Sequence, residues 1–237
     1  MAAVRTESVT LPVAGAAAMN AFVARPESRG RHAGIMVFQE AYGVNAHIRD
    51  VASRCAREGY TAIAPELFHR SGAGVEAPYG DFERVRPLIN GLTTEALEAD
   101  IRAAHAWLSA DGETDAARIA AVGFCLGGRV AFLANLVVPA RATVTFYGGR
   151  MEPLVARAGE AHGPALCFWG GQDSHVGLET PRKLADAMRA AGKRHLHVEI
   201  SDAGHGFFCD AKPDYNPRAA ADAWALTLAF LEECGAA

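Results

Sequence analysis

The hexapeptide Gly123-Phe124-Cys125-Leu126-Gly127-Gly128 constrains this chain more than any other stretch, because it follows an apolar run and opens a helical pattern. A G-x-C-x-G turn between strand and helix puts a thiol where a nucleophile elbow displays its reactive atom, with sulfur replacing the usual serine oxygen. Such a turn is sharp and strained, so the residues two before and two after the nucleophile must be small. Glycine fills both positions. A buried structural cysteine beside a glycine-rich turn is the other reading of the same residues.

The flanking sequence sets a fold class. Residues 8–13 and 19–24 read as a hairpin, 34–38, 60–64, 118–124, 142–147 and 165–169 as largely apolar strands, and 195–200 as a last, alternating strand. Asn45 caps a helix carrying Ile48, Val51, Ala52 and Cys55 on one face, and Thr94 caps another carrying Leu97, Ile101, Ala104 and Leu108. Residues 126–136 form the helix behind the elbow. Thr180-Pro181 opens a helix that turns Leu184, Ala187, Met188 and Ala191 inward and stops at Gly192; Asn216-Pro217 opens the last, with Trp224, Leu228 and Leu231 inward. Strands alternating with helices imply an α/β fold, with right-handed crossovers, a mostly parallel sheet flanked by helices, and the hairpin as an antiparallel edge. One domain over 1–237 is expected. Residues 65–92, with four glycines and mixed charge, resist the pattern and read as an irregular loop or small cap.

Bulk properties narrow the function. A formal charge of −4 gives no basic footprint for nucleic acid, and no run reaches the roughly 18 apolar residues of a membrane span. The N-terminus lacks a long apolar core of the signal-peptide kind. Five scattered cysteines without a C-x-x-C pair fit a reduced compartment, so the expected location is the cytoplasm; Cys55 and Cys167 read as core residues. His195 and His197 form an H-x-H, but no third ligand is placed nearby, so they read as a polar strand face. No metal and no cofactor is expected.

In open α/β sheets the reacting groups gather beyond the carboxyl ends of the strands. Asp173 follows the run 165–169 through Gly170-Gly171-Gln172, and His205 follows 195–200 within Gly204-His205-Gly206. The chain order Cys125, Asp173, His205 is the nucleophile, acid, histidine order of α/β-hydrolases. In that arrangement Cys125 attacks an ester carbonyl, His205 takes and returns protons, and Asp173 fixes the imidazole tautomer. The backbone N–H of Leu126, at a helix start, and that of Ala41, in the loop after 34–38, are the expected oxyanion donors.

Gln39-Glu40-Ala41-Tyr42-Gly43, Pro65-Glu66-Leu67-Phe68, the elbow, Gly170-Gly171-Gln172-Asp173 and Gly204-His205-Gly206-Phe207 together resemble the dienelactone hydrolase family, over nearly the whole chain after the hairpin. The resemblance implies the α/β-hydrolase fold and a cofactor-independent hydrolase of the carboxymethylenebutenolidase type, opening a lactone or small ester through a cysteinyl acyl-enzyme. It also implies that Glu40 lies against the thiol and helps generate the thiolate once substrate binds. A carboxylate alone opposes a thiolate, so Glu40 must accept the proton or swing away. Family members that hydrolyse dienelactone bind its carboxylate with arginines, one a few residues after the catalytic histidine; here Gly206-Phe207-Phe208-Cys209-Asp210 contains none.

Arg84 and Arg86 are the expected substitute cations, or are solvated charges. Tyr42, Phe207 and Phe208 are candidate pocket walls, with core packing the alternative for Phe207, and His175 is a candidate cleft residue. A carboxylesterase or thioesterase acting on a non-carboxylated acyl group is the second reading, and a non-catalytic thiol sensor on the same fold the third. The expected partner is a small lactone or ester, neither nucleic acid nor membrane, and the chain a monomer or small homo-oligomer.

Overall fold

The strands are β1 (Val4–Leu11), β2 (Met19–Pro26), β3 (His32–Phe38), β4 (Tyr60–Pro65), β5 (Thr114–Phe124), β6 (Thr143–Phe146), β7 (Ala165–Gly170) and β8 (His195–Ile200). The helices are α1 (Ala46–Arg57), α2 (Phe82–Asn90), α3 (Thr94–Ala110), α4 (Leu126–Val137), the short α5 (Glu152–Val155), α6 (Glu179–Ala190) and α7 (Pro217–Glu233). They come from a computed structural model describing residues 3–237; Met1 and Ala2, part of the 1–237 reading, lie outside the described residues.

The strands join in one eight-stranded sheet in the order β1-β2-β4-β3-β5-β6-β7-β8. β1 and β2 pair antiparallel from Val4 opposite Pro26 to Leu11 opposite Met19, β2 pairs antiparallel with β4, and all other pairs are parallel. The hairpin is thus the antiparallel edge of an α/β-hydrolase sheet. Because successive strand residues point to opposite faces, β3 sends Met36 and Phe38 into a core with α2, α3, α4 and α6, and Ile35 and Val37 into a second core with α1 and α7. Burial on both faces is why these strands are continuously apolar.

Asn45 caps α1, its side chain accepting from the Ile48 N–H, and Asn216 caps α7 by accepting from the Ala219 N–H. Elsewhere the details differ from expectation. Thr93, not Thr94, caps α3. Thr180 lies inside α6, where its hydroxyl donates to Glu152, and Ala191 is exposed beyond the helix end. On α7, Phe230 and Leu231 are fully buried, whereas Trp224 and Leu228 sit at the margin. Residues 65–92 carry a 3-10 turn (His69–Ser71) and α2. Pro87 inside α2 withholds one N–H from the helical ladder, which hid the helix from a propensity reading. Arg70 and His69 of the turn both reach Asp100 of α3, whose carboxylate is fully buried, and tie the segment to the body of the fold.

Candidate active site

The elbow owes its shape to missing side chains. A Cβ on Gly123 would lie 1.9 Å from the Gly127 carbonyl oxygen, and one on Gly127 would lie 2.2 Å from that of Phe38. With those positions clear, β5 passes into α4 through Cys125 at φ 54° and ψ −113°. Of the described non-glycine residues, Cys125, Tyr147 and Arg150 alone have positive φ. Cys125 and Arg150 line one cleft, and the Tyr147 ring packs edge-on against His205 at 5.2 Å. Backbone strain of roughly 1–3 kcal/mol per residue is concentrated around the thiol, as at functional sites generally.

Asp173 follows β7 and His205 follows β8, and the two loops meet the elbow. His205 Nδ1 lies 2.8 Å from Asp173 Oδ2, and His205 Nε2 lies 3.2 Å from Cys125 Sγ. The backbone N–H groups of His175 and Val176 both donate to Asp173 Oδ1, each at 2.8 Å. Burial pushes the Asp173 carboxyl up, but the His205 hydrogen bond and charge and those two amides hold it below its ordinary range. Burial likewise disfavours charge on His205, yet its bonds to Asp173 and Cys125 outweigh that and push its pKa up to about 10. The arrangement stabilises an imidazolium between a carboxylate and a sulfur.

The cleft over the thiol has a volume of about 470 Å³. Ala41 and Leu126, whose amides are the expected oxyanion donors, line it, as do Tyr42 and His175. Three cations that the sequence reading had not singled out also line it: Arg129, Arg150 and Lys212. Arg129 lies one helical turn after Cys125, a spacing legible in the sequence; its Nε is buried without a hydrogen-bond partner. Burial and the neighbouring Arg150 lower its pKa. Among the described residues neither arginine forms an ion pair; Arg150 donates to Asn90 Oδ1 at 3.1 Å.

Glu40 is fully buried, and its Oε1 accepts from Lys212 Nζ at 2.7 Å while Oε2 has no partner. No hydrogen bond joins Glu40 to Cys125 among the described residues; the sulfur's partner is His205. Burial works against the Lys212 charge, but Glu40 and Cys125 hold its pKa above the ordinary lysine value. Its ammonium also lies 5.7 Å from the Tyr42 ring and 5.2 Å from the Tyr79 ring. Lys212 thus gives the cleft a cation that residues 206–210 do not supply, seven residues after His205 in a loop without a periodic signal.

The remaining candidates lie elsewhere. Phe207 and Phe208 are buried in an aromatic stack with Phe124 and Phe146, behind the elbow and outside the cleft lining. Arg84 and Arg86 of α2 are exposed and outside the cleft lining, Arg86 pairing with Glu83 and lying over the Phe82 ring; Phe82 and Ile89 of the same helix do line the cleft.

The dienelactone hydrolase family model matches residues 19–235. A carboxymethylenebutenolidase of Pseudomonas sp. (strain P51) is 31% identical over 230 residues, covering 96% of this chain and 95% of that protein. A candidate carboxymethylenebutenolidase of Salmonella typhimurium is 35% identical over 231 residues, covering 92% of this chain and 83% of that protein. Among solved structures, a candidate dienelactone hydrolase from Klebsiella pneumoniae superposes with a TM-score of 0.89 at 32% identity, covering 97% of this chain and 99% of that one.

Proposed function

The chain belongs to the dienelactone hydrolase family, and from that premise we propose that it hydrolyses a small lactone or ester bearing an anionic group, through an acyl-enzyme on Cys125. The observation that carries this reading is the contact chain Asp173–His205–Cys125, at 2.8 and 3.2 Å, opening on a cleft walled by Arg129, Arg150 and Lys212.

In the first half-reaction the Cys125 proton passes to His205 Nε2 and the thiolate adds to the carbonyl carbon. The oxygen takes up negative charge facing the Leu126 and Ala41 N–H groups, with the α4 N-terminus adding favourable potential. Collapse breaks the carbon–oxygen bond, and the alkoxide takes the proton back from His205; in a lactone it stays tethered to the acyl group. Water, giving its proton to His205, then adds to the thioester, and the expelled thiolate recovers that proton. Asp173 keeps Nδ1 as the donating nitrogen throughout, which leaves Nε2 facing the sulfur.

Glu40 acts in this reading through Lys212. A substrate anion that draws off the ammonium leaves the buried carboxylate uncompensated, and its negative charge then stabilises the imidazolium that His205 becomes on taking the thiol proton. The apolar wall of Phe82, Ile89, Leu126 and Val176 favours the second reading, a neutral ester or thioester.

Steady-state kinetics on matched esters and lactones, with and without a carboxylate, separate the two. The anionic reading expects kcat/KM to favour the carboxylated partner by tenfold or more, about 1.4 kcal/mol. It also expects Arg129→Met to erode that preference. Equal kcat/KM values would remove the anionic substrate, and no hydrolysis of any member would remove catalysis in favour of a thiol sensor.

A further inference from the structure

We propose that His47, Cys209 and Asp210 form a binding site for a single divalent transition-metal ion of the zinc type, separate from the catalytic thiol. Ligand atoms of the three residues lie within 4.8 Å of one another, and His47 Nδ1 is 3.5 Å from Asp210 Oδ1. Two donors bound tetrahedrally to zinc at ordinary lengths sit roughly 3.4 Å apart, so the nitrogen and oxygen are already at ligand spacing. The sulfur needs a movement of about an ångström, and it lies on a turn whose Asp210 is exposed.

His47 supplies the independent evidence. Its side chain is 2% exposed, yet neither ring nitrogen has a hydrogen-bond partner. A buried imidazole with both nitrogens unsatisfied is rare and costly. It lines a cleft of about 440 Å³, together with Ala211 next to Asp210, which gives an ion a path from solvent. Asp210 also faces Arg54 at 3.8 Å through its other oxygen, leaving Oδ1 for the ion.

The chemistry balances without a redox partner: the ion displaces the Cys209 thiol proton to solvent and takes one sulfur, one nitrogen and one oxygen, with water completing four-coordination. That donor set suits zinc or cobalt over magnesium or calcium. The site is also one hydrogen bond from the active site, since the Lys212 N–H donates to the Cys209 carbonyl at 3.1 Å and Lys212 holds Glu40.

Zinc also has affinity for a catalytic Cys–His pair, so the test is made in the Cys125→Ala protein, with Co²⁺ as the probe. Titration should give one ion per chain and a sulfur-to-cobalt charge-transfer band in the near ultraviolet, displaced by Zn²⁺. Cys209→Ser added to that background should abolish the band. His47→Gln should weaken binding by no less than the roughly 10–100-fold that loss of an outer-shell partner costs. Circular dichroism of each variant checks its fold, and Cys209→Ser, which changes one atom, keeps the test sound if His47→Gln misfolds. A band missing from Cys125→Ala, or one surviving Cys209→Ser, would overturn the proposal.

Discussion

Glu40 is a carboxylate with none of its surface exposed, compensated by Lys212 at 2.7 Å. Removing one member of a buried pair leaves the other charge uncompensated, which costs about 3–5 kcal/mol. Lys212→Met should therefore lower stability by about 3 kcal/mol in urea denaturation, and adding Glu40→Gln should recover most of the loss. Such recovery separates pairing from simple packing by Lys212. His205 gives a second prediction. Its folded pKa of about 10 lies above the ordinary value of about 6.5, so the stability it contributes is fully present below pH 6.5 and is lost as pH rises through 10. The stability gap between the wild type and His205→Gln should thus shrink between pH 6.5 and pH 10. Cys125, Asp173 and His205 were legible as a set because each comes within a few residues of the end of its own strand, whereas Lys212 was not, since nothing in the loop after His205 says where its ammonium points. Phe207 and Phe208 are ambiguous in the sequence because an aromatic two or three residues after His205 serves wall and core equally well.

The elbow is an element-scale device, a strand end and a helix start locked by contacts that exclude any Cβ. Gly123→Ala should cost about 3 kcal/mol or more, because its methyl meets backbone oxygen at 1.9 Å and no side chain can rotate away. Gly112→Ala, with nothing within 4 Å, should stay within about 0.5 kcal/mol. Thermal denaturation of the two variants side by side measures the difference. The helix α2 shows the opposite relation between sequence and element. Val85 and Ile89 bury its inner face and Asp81 caps it, yet Pro87 and the surrounding glycines disguise it as a loop. That Phe82 and Ile89 reach the cleft lining while Arg84 and Arg86 stay exposed outside it follows from tertiary packing that no local pattern encodes.

At the scale of the whole molecule, the mostly parallel sheet, its antiparallel edge hairpin and its two-sided burial were readable from apolar runs alternating with amphipathic helices, whereas the order of strands in the sheet was not. The spatial meeting of the loops after β3, β5, β7 and β8 was readable only as a consequence of that topology. The pocket's charge was not: Arg129, Arg150 and Lys212 come from three separate segments, and only the assembled fold brings them around one thiol. Everything proposed about this cleft depends on Cys125 becoming acylated. Mixing enzyme with excess small ester, quenching in acid within the first turnovers and taking the intact mass tests this directly. The account predicts a mass increase equal to the acyl group, mapping to the peptide that contains Cys125 and absent from Cys125→Ala. Hydrolysis by Cys125→Ala at the wild-type rate, with no adduct on the wild-type enzyme, would contradict it.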